Sequence, residues 1–277
     1  MRAAYDPPVR FGLFLPPFGE LADPLVCAEV AATAEATGWE GVFLWDHVQY
    51  RPPVEDVADP WIVLAAIAAR TERVVIGPLV TPLARRRPQI VARQTTTLDH
   101  LSQGRLVLGV GLGLDSSGRE LSSFEEEPDA RARAGMLDEA LELITELWSG
   151  REVDHRGEHY AARSVRFVPR PVQQPRIPIW VAARAGNLRP LRRAARWDGL
   201  FLIDQEDPAE LAAAVAAVAA HRGDDGAFEV VVTGDRGDDP APWQAAGATW
   251  WLTGVDPFTV TAEQAAELAD EGPPRSG

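Results

Sequence analysis

The chain has 277 residues, of which 46% are hydrophobic and 25% are charged, a composition typical of a globular protein with one large α/β domain. Its formal net charge of −14 argues against a nucleic-acid-binding surface, and no apolar run reaches the length of a membrane span. The single cysteine, Cys27, excludes an internal disulfide, and Met1 to Ala3 do not begin a signal peptide. We therefore expect a cytoplasmic protein.

Short apolar runs alternate with stretches of helical periodicity along the chain. The pairs Asp23-Pro24 and Asp59-Pro60 predict helix starts, because aspartate caps the first turn and proline suits the first helical position. The predicted strands are residues 9–15, 41–45, 74–76, 106–110, 179–183, 199–203, 228–233 and 248–252, and a helical stretch follows each of them.

Eight strand–helix units in this length predict a closed (β/α)8 barrel, the TIM barrel, over the single domain 1–277. An open, doubly wound sheet is the alternative, since it shares the alternation of strands and helices. Two polar segments interrupt the regular units. Residues 115–129 are predicted to form a long loop, and the proline-rich residues 151–178 an inserted hairpin or extended lid before strand five.

The fourth predicted strand runs directly into a glycine-rich turn. Leu106 to Val110 has no polar face, which predicts a strand buried on both sides. Gly109, Gly111 and Gly113 would let the backbone turn and approach another group closely. Ligands bind at the carboxyl ends of the strands in parallel α/β folds, so this turn is a candidate wall of an active site. The alternative is that the glycines only pack against a neighbouring helix.

Several longer motifs are shared with a known family. They are Trp45-Asp46-His47, Gly77 to Pro82, Leu98 to Gly113, Leu147 to Gly150, Pro178 to Ala182 and Arg193 to Gly199. On these motifs the sequence resembles, from Val9 to Arg275, the bacterial-luciferase-like oxidoreductases, which use FMN or the deazaflavin F420. The resemblance implies a TIM barrel with the cofactor lying across the carboxyl ends of the strands.

The resemblance implies that His47 lies near the reactive carbon of the cofactor ring, where an imidazole can move a proton or stabilise charge. Asp46 is the second candidate catalytic residue, with orientation of His47 as its expected contribution. In the family a non-proline cis peptide shapes a bulge behind the ring, and the matching bond is Pro78-Leu79 or its neighbour. The candidate cofactor-binding residues are Pro78, Leu79, Thr81, Gly111, Gly113, Ala182, Ala183, Arg184 and Gly186.

The sequence departs from the family pattern at Ala182, Ala183 and Leu114. Ala182 and Ala183 replace two glycines of a loop whose helix start binds the cofactor phosphate, and Arg184 would compensate with a charged contact. Leu114 stands where F420-dependent sugar and alcohol dehydrogenases have a glutamate. Glu120 and Glu125, on the following loop, are the acids that would have to reach back.

Two clusters of polar side chains are predicted to have a structural role and not to bind a ligand. His155 and His159 have the spacing of a helical metal site, but Gly157 argues against a helix there, so no metal is expected. The three arginines 85–87 are interpreted as a solvated helix start, with a contact to an anionic cofactor tail as the alternative.

The predicted activity is that of a monooxygenase using reduced FMN and O2 on a small organic substrate. The presence of Leu114 in place of the family glutamate slightly favours this activity over F420-dependent hydride transfer. A silent cofactor-binding relative and a metal-dependent barrel hydrolase are further alternatives, and the hydrolase lacks a His-x-His motif after strand one. The resemblance implies that a separate flavin reductase and a second copy of the chain are possible partners. No binding to nucleic acid or to a membrane is expected.

Overall fold

The computed structural model describes residues 9–116, 118–223 and 226–274. Its strands, in chain order, are β1 (Arg10–Leu15), β2 (Gly41–Leu44), β3 (Val75–Pro78), β4 (Thr81–Pro82), β5 (Leu108–Gly111), β6 (Glu152–Arg156), β7 (Ala161–Arg166), β8 (Ile179–Arg184), β9 (Gly199–Ile203), β10 (Glu229–Gly234) and β11 (Trp250–Gly254). Its α-helices are α1 (Pro24–Thr37), α2 (Pro60–Arg70), α3 (Pro88–Leu101), α4 (Ala130–Trp148), α5 (Leu188–Ala194), α6 (Pro208–Ala219), α7 (Ala241–Ala245) and α8 (Ala262–Glu271).

Nine of these strands form one parallel sheet in the order β3-β2-β1-β11-β10-β9-β8-β5-β4. The two edges meet where Ile76 of β3 bonds to the chain just before β5: its N–H donates to the Arg105 carbonyl at 3.0 Å, and its carbonyl accepts from Val107 at 2.9 Å. Because β3 and β4 are two parts of one segment interrupted at Leu79 and Val80, nine strands occupy eight places. The predicted TIM barrel is therefore confirmed.

Aspartate–proline pairs begin three of the helices that return the chain from the carboxyl end of the barrel. Asp23 accepts the N–H of Leu25 at 2.8 Å, and Asp59 accepts the N–H of Trp61 at 2.9 Å. Asp207 caps α6 in the same way, before Pro208. Both helix starts predicted from this pair are confirmed, and each fixes the end of a loop at the mouth of the barrel.

The core has an outer and an inner layer because side chains alternate across each strand. Residues that point outward, such as Leu106, Leu108 and Val110, are buried beneath the helices. Residues that point inward fill the barrel, and they include Phe43, Trp180, Phe201, Trp250 and Leu252. The strand predicted over residues 106–110 is buried on both faces because it lies between these two layers.

The glycines of β5 pack against the interrupted strand β3–β4, not against a helix. A Cβ atom at Gly109 would collide with the Pro78 carbonyl and the Leu79 side chain, and one at Gly111 would lie 2.6 Å from Cγ2 of Val80. The peptide bond between Leu79 and Val80 is cis, next to the Pro78-Leu79 bond named in the sequence analysis. The close approach predicted for the glycines is therefore an approach to this bulge.

The insertion at 151–178 contains an antiparallel hairpin, β6–β7. Glu139 of α4 holds its turn by accepting the N–H groups of His159 at 2.8 Å and Tyr160 at 2.7 Å. The segment after the hairpin follows α3, where Asp99 accepts the N–H of Val172 at 2.7 Å. These contacts lie on the outside of the barrel and do not support a lid role for the insertion, which stays a prediction.

Gly109→Ala should lower the free energy of unfolding by about 1–3 kcal/mol, since the new methyl group would overlap backbone atoms that cannot move independently. Gly223→Ala is the control, because a Cβ atom there meets no atom within 4 Å. Urea unfolding of the two variants beside the parent measures the difference. Equal stabilities for all three proteins would show that β5 and the bulge are not tightly packed.

Candidate functional site at the carboxyl end of the barrel

Asp46 is a buried carboxylate directly after β2, with an exposed fraction of 2%. Its Oδ2 accepts a hydrogen bond from Thr81 Oγ1 at 2.7 Å, and its Oδ1 pairs with Arg86 Nη2 at 2.9 Å. Arg85 also donates to Asp46, at 3.2 Å to Oδ1 and at 2.9 Å to the backbone carbonyl. Asp46 therefore joins the end of β2 to β4 and the turn after it, which is a structural role.

His47 is oriented by Glu120, not by Asp46. Its Nδ1 lies 2.8 Å from Oε2 of Glu120, and Oε1 of the same carboxylate accepts the N–H of Val48 at 2.7 Å. Glu120 lies on the loop after β5 and is only 2% exposed. The sequence analysis named Glu120 as an acid that would have to reach back from this loop, and the structure places it there, in contact with His47.

Arg85 bridges the two buried carboxylates. Its guanidinium pairs with Glu120 through Nη1 and with Asp46 through Nη2. The interpretation of residues 85–87 as a solvated helix start is wrong for two of them, since the side chains of Arg85 and Arg86 are only 6% and 17% exposed. Only Arg87, the residue before α3, is exposed as expected. Arg85 and Arg86 are needed at this buried position because the carboxylates of Asp46 and Glu120 cannot stay charged there without cations.

These partners set the charge of Glu120. Burial alone would raise the pKa of the Glu120 carboxyl, but the hydrogen bond and charge of His47, the charge of Arg85 and the N–H of Val48 outweigh it and lower the pKa below its ordinary value. Glu120 is therefore a carboxylate at neutral pH, suited to accept a proton-bearing Nδ1 of His47.

Aromatic rings surround the imidazole. The Tyr50 ring centroid is 5.0 Å from that of His47 and 4.9 Å from that of Phe18, and Trp45 lies 6.0 Å from His47. Phe14 of β1 continues this wall, 5.4 Å from Trp45. The indole N–H of Trp45 is buried and has no hydrogen-bond acceptor among the described residues. The mouth thus combines one polar pair with a largely apolar wall.

The predicted cofactor-binding residues of the first half of the barrel come together. Pro78 ends β3 and Leu79 begins the bulge, while Thr81 contacts Asp46. A Cβ atom at Gly111 would lie 3.6 Å from the Cβ of Ala182, so the ends of β5 and β8 meet there. Gly113 turns with a φ of 75° beside Pro82. Their role in binding a cofactor stays a prediction.

The segment predicted as a phosphate-binding loop is partly strand. Ala182, Ala183 and Arg184 belong to β8, because their pairing with β9 extends to Arg184 opposite Ile203. The loop itself begins at Ala185 and turns at Gly186, whose φ is 73°. Arg184 forms a 2.8 Å ion pair with Asp204, and both side chains are more than half exposed. The helix that follows, α5, has only seven residues.

Two clefts, of about 340 and 510 Å³, open at the opposite end of the barrel, where the strands begin. Both are lined by Arg10, Val75 and Trp250, far along the strands from His47. The guanidinium of Arg10 already pairs with Glu229 at 2.5 Å and lies over the Trp250 ring. Since ligands of such barrels bind at the carboxyl end, we place the candidate site around His47.

The two histidines of the insertion do not share a helix. His155 lies on β6, 3.2 Å from Oε2 of Glu146 and 3.4 Å from Oε1 of Glu139, while His159 lies in the turn after it. Among residues 9–116, 118–223 and 226–274, no group of three His, Cys, Asp or Glu side chains is arranged to hold a metal ion. The same residues contain no helix that is both long and apolar enough to cross a membrane.

Glu120→Gln should lower the free energy of unfolding by about 1–3 kcal/mol near neutral pH, because the charge that faces Arg85 is lost while the amide still fills the space. The pKa of Glu120 is lower in the folded chain than its ordinary value of 4.5. Its contribution is therefore complete above pH 4.5 and is lost as the pH falls through the lowered folded-state value. The difference between parent and variant should shrink over that range.

Denaturant unfolding at a series of pH values measures this difference. Glu29→Gln is the matched control, because Glu29 also pairs with an arginine, Arg70, but both side chains are more than half exposed. We expect Glu29→Gln to change stability little at any pH. A loss for Glu120→Gln no larger than for Glu29→Gln would show that the buried network does not stabilise the fold.

Known proteins are similar to this chain in sequence and in architecture. A family model described as luciferase-like monooxygenase matches residues 9–236. The chain is 37% identical over 182 residues to an F420-dependent glucose-6-phosphate dehydrogenase of Microbacterium testaceum, covering 64% of this chain and 51% of that protein. It is 31% identical over 261 residues to an enzyme of the same name from Segniliparus rotundus, covering 91% and 75%. The chain thus spans about half the length of several curated relatives it matches.

Solved structures show the same fold at lower identity. An F420-dependent secondary alcohol dehydrogenase in complex with an F420-acetone adduct superposes with a TM-score of 0.79 at 19% identity, covering 95% of this chain and 97% of that one. The monooxygenase RslO1 from Streptomyces bottropensis superposes with a TM-score of 0.74 at 22% identity, covering 94% and 96%. With a family model matched over most of its length and the barrel common to these structures, the chain belongs to the luciferase-like monooxygenase family.

Proposed function

We propose that this protein is an F420-dependent oxidoreductase that transfers hydride between the deazaflavin and a small organic molecule. The observation that carries the proposal is the His47–Glu120 pair at the carboxyl end of the barrel, beside the bulge of β3–β4. The curated relatives support F420 over FMN, because several of them are named F420-dependent dehydrogenases. The FMN monooxygenase that the sequence analysis slightly favoured is supported by the family description and by structures at 22% identity or less.

The residues at the mouth fit a flat ring system with hydrogen-bond acceptors on its edge. The apolar wall of Phe14, Phe18 and Trp45 suits an aromatic ring. The indole N–H of Trp45, which has no acceptor within the described part of the chain, is a donor for a ring carbonyl. Residues from β3 to β4, from the end of β5 and from the end of β8 with the loop after it would hold the cofactor: Pro78, Leu79, Thr81, Gly111, Gly113, Ala182, Ala183, Arg184 and Gly186.

When bound, F420 supplies a two-electron hydride acceptor or donor. The protein accepts or returns the proton that accompanies the hydride. Glu120 fixes a proton on Nδ1 of His47, so Nε2 on the opposite edge of the ring is left as a base that can accept the hydroxyl proton of an alcohol. In the reverse direction the same nitrogen returns that proton to a carbonyl oxygen. Arg85 keeps Glu120 charged, and the aromatic wall limits the access of water.

Direct titration distinguishes the two cofactors. We expect purified protein to bind F420 with micromolar or better affinity and FMN at least about tenfold more weakly, with fluorescence of the cofactor as the readout. Tight binding of FMN alone would instead favour oxygen chemistry, which oxygen consumption with a flavin reductase would test. Binding of neither would contradict an oxidoreductase function and favour a silent relative.

His47→Ala should reduce F420-linked turnover at least about tenfold in a protein that still folds, because it removes a proton carrier at the mouth of the barrel and not a core side chain. His221→Ala is the control, since that exposed ring follows the end of α6, where its Nδ1 bonds to the Ala217 carbonyl of the helix. Turnover of both variants is measured with F420 held above its dissociation constant. Similar rates for His47→Ala and the parent would exclude His47 from the reaction.

A further inference from the structure

We propose that Arg133 is a positioning residue for proton transfer at His47, although its hydrogen bonds within the described chain all go to backbone carbonyls away from that histidine. It acts through the loop between β5 and α4, described over residues 112–116 and 118–129, which it holds at both ends. The effect on turnover rests on the proposed function, whereas the effect on the state of His47 does not.

Glu120 is the residue through which this loop reaches the site. It lies near the middle of the loop and is only 2% exposed. One of its carboxylate oxygens lies 2.8 Å from Nδ1 of His47, and the other accepts the N–H of Val48 at 2.7 Å. The orientation and the tautomer of the imidazole therefore depend on where the loop places Glu120.

Arg133, in the first turn of α4, bridges the two ends of the loop. Its Nε donates to the carbonyl of Leu112, the first residue after β5, at 3.1 Å. Its Nη1 donates to the carbonyls of Glu127 at 2.9 Å and Pro128 at 2.6 Å, just before α4 begins. A guanidinium can do this because its N–H groups leave a rigid plane in different directions. One side chain thus fixes the start and the end of the loop relative to each other.

The guanidinium of Arg133 has no carboxylate partner among the described residues. The residue is 6% exposed, and the groups that accept its hydrogen bonds are neutral carbonyls. A buried charge without a counter-charge is costly, and an apolar side chain would fill this position without that cost. What distinguishes the arginine from an apolar residue of similar length is therefore its bonds to the two ends of the loop.

Bonds within the loop pass a displacement of its ends on to Glu120. Asp115 Oδ1 accepts the N–H groups of Leu121 at 2.8 Å and Ser122 at 2.9 Å, which ties the first part of the loop to the residues beside Glu120. The regular structure of its described residues is limited to one 3-10 turn, Ser122–Phe124. A loop of this length would sample many positions if its ends were free. With both ends held, it presents Glu120 in one place.

Glu120 is also held from the side of the barrel, by the guanidinium of Arg85 and the N–H of Val48. If these two bonds alone fixed the carboxylate, Arg133 would support the fold and leave His47 unchanged. A misplacement of about 1 Å at a reacting group can cost on the order of 100-fold in rate. The two explanations therefore differ in the state of His47 and in turnover, and not in stability.

Arg133→Met removes the donors and keeps an unbranched, adaptable side chain in the same space. Arg105→Met is the matched control, because Arg105 also bonds to backbone carbonyls, among them Val74 at 2.9 Å and Ala68 at 3.0 Å, but lies before β5 at the amino end of the barrel. Nuclear magnetic resonance of 15N-histidine-labelled protein without cofactor, at a pH where the imidazole is neutral, reports which nitrogen of His47 carries the proton. His47→Ala assigns the signal.

We expect the proton of His47 on Nδ1 in the parent and in Arg105→Met, and a mixture of both tautomers in Arg133→Met. The N–H of Val48 should exchange with solvent at least about tenfold faster in Arg133→Met, since its acceptor on Glu120 is displaced. With F420, kcat should fall at least about tenfold while KM changes less than about threefold. Arg133→Lys keeps the charge but cannot donate in both directions, so it should show smaller changes of the same kind, and it replaces Arg133→Met if that variant does not fold.

The outcomes separate this inference from the proposed function. A His47 tautomer and a kcat in Arg133→Met equal to those of the parent would overturn the positioning role and leave the F420 function intact. Equal changes in Arg133→Met and Arg105→Met would also overturn it, since a general loss of stability would then explain both. A tautomer change confined to Arg133→Met, in a protein whose parent neither binds nor turns over F420, would support the positioning role and contradict the proposed function.

Discussion

The buried ion-pair network of Asp46, Arg85 and Glu120 is the interaction on which the mouth of the barrel depends. It connects the end of β2, the turn before α3 and the loop after β5, three segments that no strand pairing joins at that level. Loss of the charge of one member would leave its partner charged and buried, which is destabilising. The network therefore fixes His47 and the loop above it in one arrangement.

A second constraint lies just below it, where β5 approaches the interrupted strand β3–β4. Gly77, Gly109 and Gly111 leave no space for a Cβ atom between the two segments. This contact sets where β4 resumes, and Thr81 of β4 then binds Asp46. The packing of the glycines thus positions Thr81. Thr81, together with Arg85 and Arg86, then positions Asp46, the residue before His47.

The pairing of His47 with a buried carboxylate inside an apolar surround bears on the chemistry of the site. His47 has a carboxylate on one edge and aromatic rings around it, so its free nitrogen is presented in a surrounding poor in competing polar groups. In the proposed reaction, a group of this kind would carry the proton. This is consistent with a cofactor that carries the electrons separately.

The fold was predictable because its signals are local. Each buried strand is a short apolar run, and each helix has its own periodicity and, at Asp23 and Asp59, its own cap, so eight units can be counted without knowing any contact. His47 could be named for the same reason, since it directly follows a strand. The insertion was likewise recognisable from its polar, proline-rich composition, and a hairpin was one of the two forms predicted for it.

The sequence by itself determined the eight strand–helix units and the position of His47 at a strand end, because each depends on neighbours in the chain. Only the tertiary structure decided which charges meet. Glu120 lies 73 residues from His47 and 35 from Arg85, and Arg86 lies 40 from Asp46. Such pairs are set by the closure of the barrel, which brings distant strand ends together, and no local pattern distinguishes a buried arginine from a solvated one.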